Sequence, residues 1–209
     1  LSSRAAELLE EASRWRLLGL LFERPGGTWW VELGALREDC REPPLLEALC
    51  AARTALEGDY LAALGPGGLV SPREAAHRPL ADPGALLAEL RAAYTAFHYS
   101  PRVAGEAPDH VAVETGFVGF LRLKQAYAEA SGEAEAASLC NAAARRFESE
   151  HLRALAGPLL ERLASGPAHL ALAARALQDR VGSAPIVPET RDELAAGCPF
   201  GCGAAGVTD

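Results

Sequence analysis

The 209-residue chain has no methionine and one isoleucine, and only nine valines and six threonines stand against 43 alanines and 32 leucines. Sheets draw on the residues that are scarce here and helices on those that are abundant, which excludes a β-sandwich, a barrel or a parallel-sheet enzyme. No run of about 18 uncharged apolar residues occurs, so no membrane span is expected. The opening segment, LSSRAAELLEEASRWRLLGLLF, is studded with Glu and Arg and lacks the apolar centre of a secretory signal. Basic residues are outnumbered, giving a net charge of −8, and all but Lys124 are arginines. That balance argues against a nucleic-acid partner and in favour of a basic one. Five cysteines, an odd number without secretory context, point to a reduced, cytoplasmic protein. There is no GxxxxGK[ST] phosphate loop, no GxSxG elbow and no GxGxxG after a strand.

What remains is an all-α composition, read as a single-domain helical bundle over residues 1–182. Helices are predicted over 3–22, 28–39, from Pro43-Pro44 to about Leu56, over 82–97, 108–131 and 167–181. Residues 133–164 are read as one helix or a pair bent at Gly157-Pro158. Ser71-Pro72-Arg73-Glu74 reads as an N-cap with proline in the first helical position, opening a piece of at most two turns before Pro79. The last 27 residues, 183–209, carry three Pro and four Gly and are expected to form a mostly extended tail.

The pattern is broken at GEAPDHVAVETGFVGFLRLKQAY, residues 105–127. With His110 at 0° on a helical wheel, Glu114 falls at about 40°, Leu121 at about 20° and Phe117 at about 340°. His110 and Glu114 therefore lie in the middle of the apolar arc, where a carboxylate needs compensation. Two readings are open. In one, Asp109 caps the helix and His110 and Glu114 form an internal i,i+4 pair. In the other, Glu106, Asp109 and Glu114 make an acidic cleft beside Phe117, Phe120 and Leu121, suited to an arginine. Gly116 and Gly119, each costing about 1 kcal/mol relative to Ala in mid-helix, mark close approach of another backbone.

Metal-ligand spacings are weaker signals. Glu74-x-x-His77 and Glu148-x-x-His151 match the ligand pair of di-iron carboxylate bundles, with Glu114 as a further ligand. The first pair, however, sits on a short piece between prolines. Cys198 and Cys202 form a CxxxC, half of a zinc site with no second pair to complete it. No catalytic residue, metal or other cofactor is expected.

Glu106-Ala107-Pro108-Asp109-His110, followed by Glu114 and an aromatic-rich helix, resembles the E-x-P-D-H signature of the TorD/DmsD family, the cytoplasmic chaperones dedicated to molybdenum-containing redox enzymes. RRFESEHLRALAGPLLERL, residues 145–163, resembles the family's second shared region, and Ser71-Pro72-Arg73-Glu74 also suits it. The resemblance spans roughly residues 70–165. It implies an all-helical fold that binds the N-terminal twin-arginine leader of a partner catalytic subunit and holds that subunit until its molybdopterin cofactor is inserted. Some relatives serve membrane-bound nitrate reductases and recognise a remnant of such a leader. Carried over by position, Pro108, Asp109 and His110 would line the leader site, with Glu106, Glu114 and Phe117 alongside. The alternatives from the residues alone are a di-iron oxidase and a plain helical interaction module, and homodimerisation stays open.

Overall fold

The computed structural model describes residues 3–101 and 105–182, and every regular element among them is helical. In chain order these are α1 (Ser3–Leu21), α2 (Trp29–Asp39), α3 (Pro43–Ala52), α4 (Glu57–Leu64), a 3-10 turn (Glu74–His77), α5 (Pro83–Ala96), α6 (Val111–Ser131), α7 (Ala134–Phe147), a π turn (Glu148–Leu152), α8 (Arg153–Leu163) and α9 (Ala168–Val181). The all-α expectation holds. The tail over 183–209, with Cys198 and Cys202, lies outside the described residues. None of the described helices is long and apolar enough to cross a membrane.

The longest seam of the bundle runs between α1 and α6. On α1 it buries Leu8, Ala12, Trp15 and Leu18 at helical spacing, and on α6 Val111, Val118 and Leu121. Each such leucine contributes roughly 1.5–3 kcal/mol by leaving water. Glycines set how near the two helices come. A Cβ on Gly119 would lie 3.2 Å from the Arg16 amide nitrogen and 3.3 Å from the Ala12 carbonyl oxygen. One on Gly19 would lie 2.8 Å from Thr115 Oγ1. The backbone approach inferred for Gly119 is therefore real, and α1 is what approaches. Helices α3, α8 and α9 pack together on the remaining side of the core.

Helix ends follow local chemistry. Asp82 accepts a hydrogen bond from the Gly84 amide (2.7 Å) to start α5, and Gly132, at φ 74°, ends α6 in the left-handed conformation that glycine adopts without strain.

Three local expectations are corrected. The third predicted helix stops at Ala52 instead of Leu56, and a separate α4 follows, its first turn carrying Glu57 and Asp59 where carboxylates favour a helix start. Ser71 does not cap a helix with Pro72 at its first position. Arg73 is instead extended and pairs as an antiparallel bridge with His110, and the 3-10 turn begins only at Glu74. The break in 133–164 falls at the π turn and not at Gly157-Pro158. Pro158 lies inside α8 without ending it.

Candidate binding site

The E-x-P-D-H segment is clipped to residues 71–75. The Val111 amide donates to the Pro72 carbonyl (2.9 Å) and the Glu74 amide to the Asp109 carbonyl (2.8 Å). Asp109, fully buried, does not cap α6. Its Oδ1 accepts from Arg73 Nε at 2.9 Å and its Oδ2 from the Ala75 amide at 3.2 Å. The cap is His110, whose Nδ1 accepts from the Ala112 amide (3.1 Å). That bond puts the ring proton on Nε2, which faces the Tyr60 hydroxyl at 3.5 Å and Glu106 at 3.8 Å. Burial holds the His110 pKa below its ordinary value, so the ring is neutral. Pro108 is half-buried, and its carbonyl accepts from the Tyr94 hydroxyl (2.7 Å).

Glu114 is fully buried and does not pair with His110. Neither of its oxygens has an ordinary hydrogen-bond partner, and its principal neighbour is Glu74, also fully buried. Burial first, and the Glu74 carboxylate second, hold the Glu114 carboxyl well above the usual carboxylate range, leaving it a neutral acid. Glu74 in turn is held by Arg78 Nε (2.6 Å) and His151 Nδ1 (3.0 Å). Phe117 is buried among aromatic rings, with Tyr94 at 4.8 Å and Phe147 at 4.9 Å between centroids. Both i,i+4 and acidic-cleft readings therefore need correction. Asp109 is already compensated by Arg73 and the Ala75 amide, Glu114 avoids charge by keeping its proton, and of the three predicted acidic groups only Glu106, 37% exposed, reaches solvent.

The di-iron arrangement is likewise not formed. Glu74 of the first Glu-x-x-His pair meets His151 of the second, but His77 Nε2 is bonded to the Ser71 carbonyl (2.8 Å) and Glu148 is paired with Arg122 (2.8 Å), so the four residues do not gather around one centre.

Open space lies to either side of this buried network. A cavity of about 410 Å³ is lined by Tyr60, Leu64, Gly67, Arg73, Glu106 and His110. A larger groove of about 710 Å³ runs between α1 and α6 and is closed by residues 98–100. Its walls are Leu9, Ala12, Leu36, Tyr99, Phe120 and Leu123, and its floor is the backbone at Gly116. On the α6 wheel this face lies at about 200–280°, opposite His110 and Glu114. Tyr99 is fixed by donating from its hydroxyl to the Val113 carbonyl (3.2 Å), directly over Gly116, where a Cβ would come within 2.7 Å of the hydroxyl oxygen. The adjoining His98 holds a φ of 56°, strained for a residue other than glycine. Such strain collects at functional segments and is sustained by the surroundings.

The sequence reading did not find Arg73, Arg78 and Tyr94 as partners of the signature, nor the groove. The one signal for the groove was the mid-helix pair Gly116 and Gly119.

The family model for the nitrate reductase delta subunit matches residues 33–161, from α2 into α8 and across the whole signature region. The chain belongs to this family. No curated protein and no solved structure matches the chain. The nitrate reductase delta subunit family consists of maturation chaperones for molybdenum-containing enzymes.

Proposed function

We propose that this chaperone works in the cytoplasm by binding the N-terminal leader of a molybdenum-dependent catalytic subunit, whether a twin-arginine leader or its remnant. It holds that subunit until the cofactor is in place. The observation that carries this reading is the groove between α1 and α6, a mostly apolar slot edged by Ser13, Arg16 and His98, with a glycine floor and one strained wall. A leader of this kind offers an apolar stretch next to basic residues. The slot suits the first, and Glu106, which lines the neighbouring cavity with His110, gives the second a carboxylate within reach of water. Asp109, Glu114 and Phe117 serve the site from beneath by fixing where α6 begins.

The test is affinity capture from the host's cytoplasm with identification of bound proteins by mass spectrometry, followed by fluorescence anisotropy with the captured subunit's labelled N-terminal peptide. The expected result is a molybdoenzyme catalytic subunit whose isolated leader binds and competes. Abundant, folded bait that brings down no such subunit, under conditions that express these enzymes, overturns the reading.

A further inference from the structure

The π turn and α5 place together three potential metal ligands at the outer edge of the buried network, where His151 turns one nitrogen to Glu74 and the other outward. The His151 imidazole, Glu89 of α5 and Glu150 each bring one ligand atom, and these atoms all lie within 4.8 Å of one another. We infer that His151 Nε2, Glu89 and Glu150 form a site for one divalent first-row transition ion.

The imidazole makes this more than a surface pair of acids. His151 is only 4% exposed, yet its Nε2 makes no hydrogen bond and points towards Glu89 Oε1, 4.0 Å away, across a cavity of about 270 Å³. At its other nitrogen, Nδ1 donates to the buried Glu74 carboxylate at 3.0 Å. A histidine held in this way keeps its proton on Nδ1 and presents the Nε2 lone pair outward. This is how metal-binding imidazoles are commonly oriented and made more basic. Phe147, with its ring centroid 4.5 Å from that of His151, further limits the ring's rotation.

Glu89 and Glu150 have side chains 56% and 46% exposed, so both have room to draw in. An ion bonded at about 2.0–2.2 Å holds neighbouring ligand atoms about 3.0–3.5 Å apart, so the two exposed carboxylates close on His151 by about 1 Å to bind it. Glu150 also bonds Arg146 Nε at 2.7 Å, and its second oxygen stays available for the ion. One imidazole with two carboxylates selects a first-row transition ion over magnesium or calcium, with water completing the shell. The ion would tie α5 to the π turn. Since α5 leads directly into residues 98–100, it would also stiffen one wall of the groove. The inference stands on these ligands alone and does not depend on leader binding.

Cobalt(II) is the probe, because nitrogen and oxygen ligands give only weak d–d absorption whereas cysteine thiolates give intense charge transfer. The metal-free full chain, Glu89→Gln and Glu150→Gln are titrated by calorimetry and absorption, with thermal melts run alongside. The expected result is one cobalt per chain without thiolate charge transfer, a higher melting temperature on binding, and affinity at least tenfold weaker in both variants, whose metal-free melts match the parent. No binding by the parent overturns the inference. So does a thiolate spectrum, or undiminished affinity in both variants.

Discussion

The two faces of α6 divide the work of the site in a way their residues do not advertise. One face carries His110, Glu114, Phe117 and Leu121, and all four are buried. The other presents Gly116, Phe120 and Leu123, all half-buried, to an open groove with the buried Ala112 at its base. The face with conspicuous charge is the interior. The face that is open is marked by small side chains and a missing Cβ. Ionisable groups on an apolar arc announce that something compensates them, but not whether the partner is a ligand or another part of the same chain. Here it is the chain itself: Arg73 holds Asp109, Arg78 and His151 hold Glu74, and Glu114 beside Glu74 keeps its proton.

The largest effect that separates the faces is expected from Asp109→Ala. It removes a buried carboxylate from Arg73 and leaves the Ala75 amide without its acceptor. Breaking a fully buried pair costs about 3–5 kcal/mol, and Arg73 keeps partial contact with water, so a loss of about 2–3 kcal/mol is expected. Chemical denaturation measures it. A variant as stable as the parent would return Asp109 to the role of a waiting ligand.

Leu123→Glu acts on the other face. Its side chain is half-buried in the groove wall, so a carboxylate there keeps access to water and the melt should hardly change. Affinity for the client leader peptide should fall at least tenfold, about 1.4 kcal/mol, because the apolar segment would have to desolvate a charge. Anisotropy titration reads this directly, and unchanged affinity would move the apolar contact away from this groove.

Glu106→Gln is smaller. It removes the one signature carboxylate in reach of solvent, and a partly exposed charge pair is worth about 0.5–1 kcal/mol. Binding should weaken two- to fivefold at low salt and by less at high salt, since exposed pairs are screened. A loss independent of salt would contradict a charge contact at Glu106.

These contrasts also separate what the sequence makes legible from what it does not. Helix α5 is readable because Asp82-Pro83 starts it by a local bond, and the end of α6 is readable because Gly132 takes a conformation that other residues avoid. The short segment at 71–77 is misread because its shape comes from pairing with residues 109–111, more than thirty positions along the chain. The signature's residues are identifiable from their order, whereas their burial is not. Arg78 is unremarkable in sequence, and Arg73 and His151 stand out there only for other roles, until the fold brings them to Asp109 and Glu74. The groove leaves only a trace in the sequence, two glycines in mid-helix, because its walls are ordinary leucines and alanines from distant elements.

The sharpest test of the interior face is Glu114→Gln, small in size but definite in sign. In the folded protein the Glu114 carboxyl retains its proton well above the ordinary range, owing first to burial and then to Glu74. In the unfolded chain it releases that proton near its ordinary value of about 4.3. Between these two values the folded state binds more protons than the unfolded state, so this group's contribution to stability falls as pH rises. Glutamine is a neutral isostere of the protonated acid and has no proton to lose. The variant should match the parent near pH 4 and exceed it at pH 8, by up to about 1 kcal/mol after allowing for the amide's imperfect fit between the Glu74 oxygens and Phe117. A variant markedly weaker at every pH would mean that Glu114 is charged in the fold and held by a cation. The interior face would then be the acidic receptor that its sequence first brings to mind.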